Sequence, residues 1–76
     1  MNKIRRRKLA EINEQLEVLK ACIEEIMEEE QDAFDNLPES FQDSERGEIM
    51  TEKIDNMENA ISSLEEVIGY IEESQE

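Results

Sequence analysis

Seventy-six residues with 22 acids, eight bases, no histidine and one cysteine carry a net charge of −14. That length allows one domain, excludes a disulfide framework, and leaves no histidine for a nucleophilic triad and no ligand set for structural zinc. The expectation is a non-enzymatic chain without cofactors, whose small core calls for association with another chain.

The chain opens on a basic cluster, Lys3, Arg5, Arg6, Arg7 and Lys8, before the first acid at Glu11. No apolar stretch follows it and no run of about 18 apolar residues occurs anywhere, so neither a signal peptide nor a membrane span is expected. With the single Cys22 this points to a cytoplasmic setting. From residue 9 onward the remaining three bases face all 22 acids. Such a body repels nucleic acid and anionic membrane and attracts basic partners. High charge and low hydropathy are also the signature of disorder. Against disorder, the apolar residues recur at helical spacing.

Leu9, Ile12, Leu16, Leu19, Ile23 and Ile26 alternate steps of three and four, which predicts a helix over about 3–35 with these six as its seam. The heptad places Glu30 next, but the apolar stripe drifts to Met27 and Phe34, so Glu30 is expected off the seam. Cys22 falls beside the seam as a partly buried small residue.

Residues 36–43 form the expected turn. Pro38 cannot continue a helix but can open a new one, so Pro38–Gln42 reads as a single turn. Phe41 is then an apolar plug near Phe34 and Leu37. Asp43 or Ser44 is the expected N-cap of a second helix over about 44–72, and Gly47 weakens its first turn. Met50, Ile54, Met57, Ile61, Leu64, Ile68 and Ile71 form its seam without a miss, with Ala60 and Val67 on one flank. Gly69 marks fraying or close approach by another chain. Two helices of similar length with a short connection predict an all-α antiparallel hairpin, coiled-coil-like, spanning residues 1–76 as one domain. Each helix has one stripe to bury, so a homodimer forming a four-helix bundle is expected.

Antiparallel folding would bring the basic cluster beside Glu65, Glu66, Glu72 and Glu73. It reads either as a clamp on the open end or as a binding arm. The acids beside the turn have no such relief. Glu24, Glu25, Glu28, Glu29, Asp32 and Asp35 on the first helix, with Asp43, Glu45, Glu48 and Glu52 after the turn, form one negative lobe. It reads as a solubilising face or as a docking surface for a basic protein partner. No Gly-rich phosphate loop and no calcium-loop spacing accompany it.

The stretch Asn36-Leu37-Pro38-Glu39-Ser40-Phe41-Gln42-Asp43-Ser44-Glu45-Arg46-Gly47-Glu48, with Ile54–Ile61 and Leu64-Glu65-Glu66 after it, resembles the turn and second helix of small acidic helical-hairpin proteins of phages and prophages of Gram-positive bacteria. The resemblance implies a phage setting, and with it an inhibitor of a host nucleic-acid-binding or defence protein, of the anti-CRISPR kind, acting as a DNA mimic. The rival reading is a structural or assembly module whose bundle is itself the function.

Overall fold

The computed structural model describes all 76 residues and has helix as its only secondary structure, with α1 over Lys3–Asp35, α2 over Glu39–Gln42 and α3 over Glu45–Ser74. The molecule is extended, 58 by 15 by 11 Å between Cα atoms. Its long axis is set by α1, whose 33 residues at 1.5 Å each reach about 50 Å. No helix is long and apolar enough to cross a membrane.

Asn2 starts α1: its side-chain oxygen accepts from the Arg5 amide at 2.8 Å, satisfying one of the donors a helix start leaves free. Pro38 ends the run and opens α2, whose first turn closes onto the Pro38 carbonyl from Phe41 and Gln42 at 2.8 and 3.1 Å. Gln42 then ties this turn back to α1. Its Nε2 donates to the Phe34 carbonyl at 3.2 Å, which also accepts the Leu37 amide, and to the Leu37 carbonyl at 3.0 Å, which takes no backbone amide. Ser44 stands at the N-cap of α3, yet its side chain makes no cap bond; the hydroxyl donates to the Phe41 carbonyl instead.

α1 and α3 pack along their length in reversed order. Asn13 of α1 donates to the Ile68 carbonyl at 3.2 Å, and Lys20 pairs with Glu65 at 3.7 Å. On α3 the covered row is the one its spacing indicates: Met50, Ile54, Met57, Ile61, Leu64, Ile68 and Ile71. Ile61 and Ile68 are the most deeply buried apolar side chains, 8 and 5% exposed.

On α1 the covered row differs from the expected seam. It runs Leu9, Asn13, Leu16, Lys20, Ile23, Met27, Glu30, Phe34 and Leu37, stepping by four and three without interruption. Ile12, Leu19 and Ile26, expected in the seam, are turned outward and 44, 55 and 54% exposed. The reason is continuity. The row through Ile12, Leu19 and Ile26 next reaches an acid or Ala33, whereas the row through Asn13 and Lys20 goes on to Met27, Phe34 and Leu37. Rotating α1 by one position keeps Leu9, Leu16 and Ile23 in contact and gains the three distal side chains. The helix thereby draws Asn13, Lys20 and Glu30 into the interface; Glu30 is half-buried on the seam, not off it.

Three further expectations are corrected. Phe41 is not a plug: it is 50% exposed. Cys22, one position from the covered Ile23, is exposed. Gly47 is a seat, not a weak point. It is buried where α2 lies across the first turn of α3, and a Cβ there would strike the Gln42 carbonyl and approach Phe41 O to 2.8 Å. At Gly69 a Cβ would meet nothing within 4 Å, so no close approach within the chain requires that glycine.

The two glycines therefore respond in opposite directions to alanine. Gly47→Ala is expected to lose about 1–3 kcal/mol through the clash, and Gly69→Ala to gain about 0.5–1 kcal/mol from helix propensity. Urea melts of both variants check the pair. Asn13 Oδ1 is buried without a partner. Asn13→Leu is accordingly expected to raise the melting temperature while loosening the register, read as a broader distribution of spin-label distances between α1 and α3.

Candidate functional site

The negative lobe is built by the last three turns of α1 and the first two of α3, held side by side by the Gln42 tie and the Gly47 seat. On α1, Glu25, Glu28, Glu29, Asp32 and Asp35 are exposed and Glu24 is half-buried; Asp43, Glu45, Glu48 and Glu52 across the turn are exposed. None of the ten takes part in an ion pair. The only ion pairs in the molecule both belong to Lys20, with Glu17 at 3.4 Å and Glu65 at 3.7 Å. The one side-chain bond to a lobe carboxylate is donated by Gln31 Nε2 to Asp35 Oδ1 at 3.0 Å. No three of the carboxylates converge closely enough to hold a metal ion.

Charge density is the lobe's main property. The seven acids of α1 between residues 24 and 35 lie along about 17 Å of axis, about one carboxylate per 2.4 Å, against roughly one charge per 1.7 Å along duplex DNA. The facing turns of α3 add Glu48, Glu52 and Asp55 together with the bases Arg46 and Lys53. The end of α1 adds to the local field: its last turn holds no base to offset the carbonyl end of the helix.

The basic cluster makes no clamp. Arg5, Arg6, Arg7 and Lys8 are fully on the surface, and none reaches Glu65, Glu66, Glu72 or Glu73. Register explains this. With Asn13 opposite Ile68, α3 ends near the level of Lys8, and the arginines stand beyond most of its acids. Glu65 is taken by Lys20, four turns further along.

Lys20 is the residue that the reading of the sequence passed over. It sits among apolar neighbours in the covered row of α1 with its side chain 19% accessible. Burial acts most strongly and lowers its pKa; the hydrogen bond and charge of Glu17 and the charges of Glu65 and Glu24 outweigh burial, and the net shift is upward from the ordinary 10.5. The signal in the sequence was the step of seven from Asn13 to Lys20 to Met27, obscured by the more apolar row beside it. The exposed large apolar residues include Ile4, Ile12, Val18, Leu19, Ile26, Val67 and Tyr70.

A raised lysine contributes stability below its unfolded value and loses it as the pH climbs through the folded one. The melting temperature of the native chain is therefore expected to fall relative to Lys20→Met only above about pH 10. A parallel fall between pH 6 and 9 would show that another group carries the dependence.

Compared with protein-family models, curated proteins and solved structures, the chain finds no match.

Proposed function

We propose that the chain is a non-enzymatic, antiparallel helical hairpin that binds a basic site on a protein partner through the lobe around its turn. One observation carries the reading: ten carboxylates crowd around the turn and none of them is in an ion pair. Keeping like charges together is unfavourable for the isolated chain, and a basic partner relieves it. In its sharpest form the protein is a DNA mimic, an inhibitor of a host nucleic-acid-binding or defence protein, which is the role implied by the resemblance to small acidic phage hairpins. Host cytoplasm is the setting this role requires. The binding set is Glu24, Glu25, Glu28, Glu29, Asp32, Asp35, Asp43, Glu45, Glu48 and Glu52.

A second reading is favoured by a different observation, the apolar row left uncovered on α1. Here the hairpin is an assembly module, and pairing of two hairpins into a four-helix bundle is part of its function. A chain with only four buried residues gains most from such pairing.

The lobe reading is tested by affinity capture from a bacterial lysate, with duplex DNA as competitor. A retained basic protein is expected to be displaced by duplex DNA and by salt, and lost with the combined variant Glu28→Lys, Asp35→Lys, Glu48→Lys at unchanged helicity. Retention that is indifferent to salt, or equal with the variant, overturns it.

A further inference from the structure

α3 covers one row of α1 and leaves the row beside it bare. Ile12, Leu19 and Ile26 follow one another at intervals of seven and are each about half exposed. The other side of the helix pair is occupied differently: there Ala10, Glu14 and Glu17 share a shallow groove with Glu72 and Gln75. In a pair running in opposite directions, residues offset to the same rotational side of each seam meet on one side of the pair. Ile12, Leu19 and Ile26 therefore share their side with Ala60 and Val67 of α3, and Val67 is 43% exposed. One side of the molecule is polar and acidic, and the other is apolar along its middle.

The charges at the two ends of this bare row say what covers it. Continuing the row toward the N-terminus gives Lys8 and Arg5; continuing it the other way gives Glu29, with Asp32 beside it. All four are exposed and none is in an ion pair; on the α3 half of the same side, the row of Val67 and Ala60 continues to Lys53 and Arg46, exposed beside the acid end and likewise unpaired. The row thus runs base, apolar, acid, with Leu19 at its centre. A second copy laid on it in the same direction would set base against base and acid against acid. Laid in the opposite direction, it sets Ile12 near Ile26 of the second copy, and Arg5 and Lys8 near its Glu29 and Asp32, twice over by symmetry. The area is sufficient. From Arg5 to Ala33 the row is about 42 Å long, and a side two helices wide, about 20 Å, offers about 800 Å², what each partner gives to a stable interface of standard size.

We propose that the bare face of α1 is where this chain pairs with a second copy of itself, the two α1 helices running in opposite directions about a two-fold axis near Leu19. This rests on the assembly reading above and adds to it the face, direction and register. It leaves Glu45, Glu48 and Glu52 on α3 outside the Arg5 and Lys8 contact. Cys22, exposed on the same row, then lies three residues from the axis, so the two thiol-bearing Cα atoms stand about 13 Å apart: too far for a disulfide, but within reach of a short bis-maleimide.

Sedimentation equilibrium of the full chain tests the proposal, with circular dichroism as the check on folding. The native chain is expected to be a dimer that a short bis-maleimide crosslinks through Cys22, and Leu19→Lys is expected to dissociate it with helicity kept. The pair Arg5→Glu with Lys8→Glu, and separately the pair Glu29→Lys with Asp32→Lys, should each raise the dimer Kd by about tenfold or more. An equal mixture of the two variants should restore native affinity, because only the mixed dimer matches base to acid at both ends. A monomer at about 0.1 mM, well above the roughly micromolar Kd at the weak end of standard-size interfaces, would overturn this proposal and the assembly reading together. A dimer untouched by these substitutions, or a larger oligomer, would leave the assembly reading in place and overturn the face and register. Should a charge variant lose helicity, crosslinking of the unmodified chain decides: no covalent dimer through Cys22 overturns the register.

Discussion

The apolar row that runs on to Met27, Phe34 and Leu37 sets how α1 is turned, the hydrogen bond from Asn13 to the Ile68 carbonyl holds that rotation, and the rest of the molecule follows from it. A buried amide is costly unless it is bonded, so once Asn13 enters the interface it must stay opposite a free acceptor. Helical carbonyls are normally taken by the amide four residues on, and Ile68 accepts a second bond. Seven residues along, Lys20 enters the same row and draws Glu17 and Glu65 around it. Two polar groups thus fix register and rotation in an interface whose apolar members, Leu, Ile and Met, would tolerate several alternatives. The consequence is felt on the opposite side of the seam, where Ile12, Leu19 and Ile26 are turned to solvent.

Charge is distributed so that little of it is neutralised within the chain. Arginines at the start of α1 oppose its positive end, and acids at its last turns oppose its negative end. Both placements disfavour the isolated helix slightly, by tenths of a kcal/mol to about 1 kcal/mol per well-placed charge. α3 forms no ion pair with either group: the register leaves the arginines beyond its acids, and Arg46 and Lys53, level with the acidic turns of α1, pair with none of them. The molecule is an electric dipole with an apolar waist: positive at the free end of α1, negative around the turn. That arrangement favours encounters with objects carrying the complementary pattern, whether a basic protein surface or another copy turned end for end.

Much of the architecture was legible in the spacing of apolar residues. The end of α1 at Asp35 and the start of α3 at Glu45 follow from Pro38 and the break in periodicity around it, and the covered row of α3 is its apolar row, residue for residue. The rotation of α1 was legible only at its far end, where the stripe drifts to Met27 and Phe34; in the first half two adjacent rows compete. One has the better residues early, with Ile12, Leu19 and Ile26; the other has the longer reach, with Met27, Phe34 and Leu37. Local hydrophobicity favours the first, and only the length of α3 decides for the second. The clamp between the basic cluster and Glu72 or Glu73 failed for a related reason: opposite charges attract, but register is set by the packed row. The lobe acids were easy to find, since their density is a property of the sequence. Their freedom from ion pairs depends on where Lys20 and the arginines stand in three dimensions.

The turn has a consequence for recognising kin of this chain. Its geometry rests on Pro38 opening α2, on Gln42 reaching the carbonyls of Phe34 and Leu37, and on Gly47 giving α2 room across α3. These constraints are steric and directional, whereas the acidic heptads on either side can be rewritten freely as long as one face stays apolar. Descent would therefore be preserved in a short signature, a proline followed four residues later by glutamine and nine later by glycine, long after the flanking helices had diverged beyond alignment.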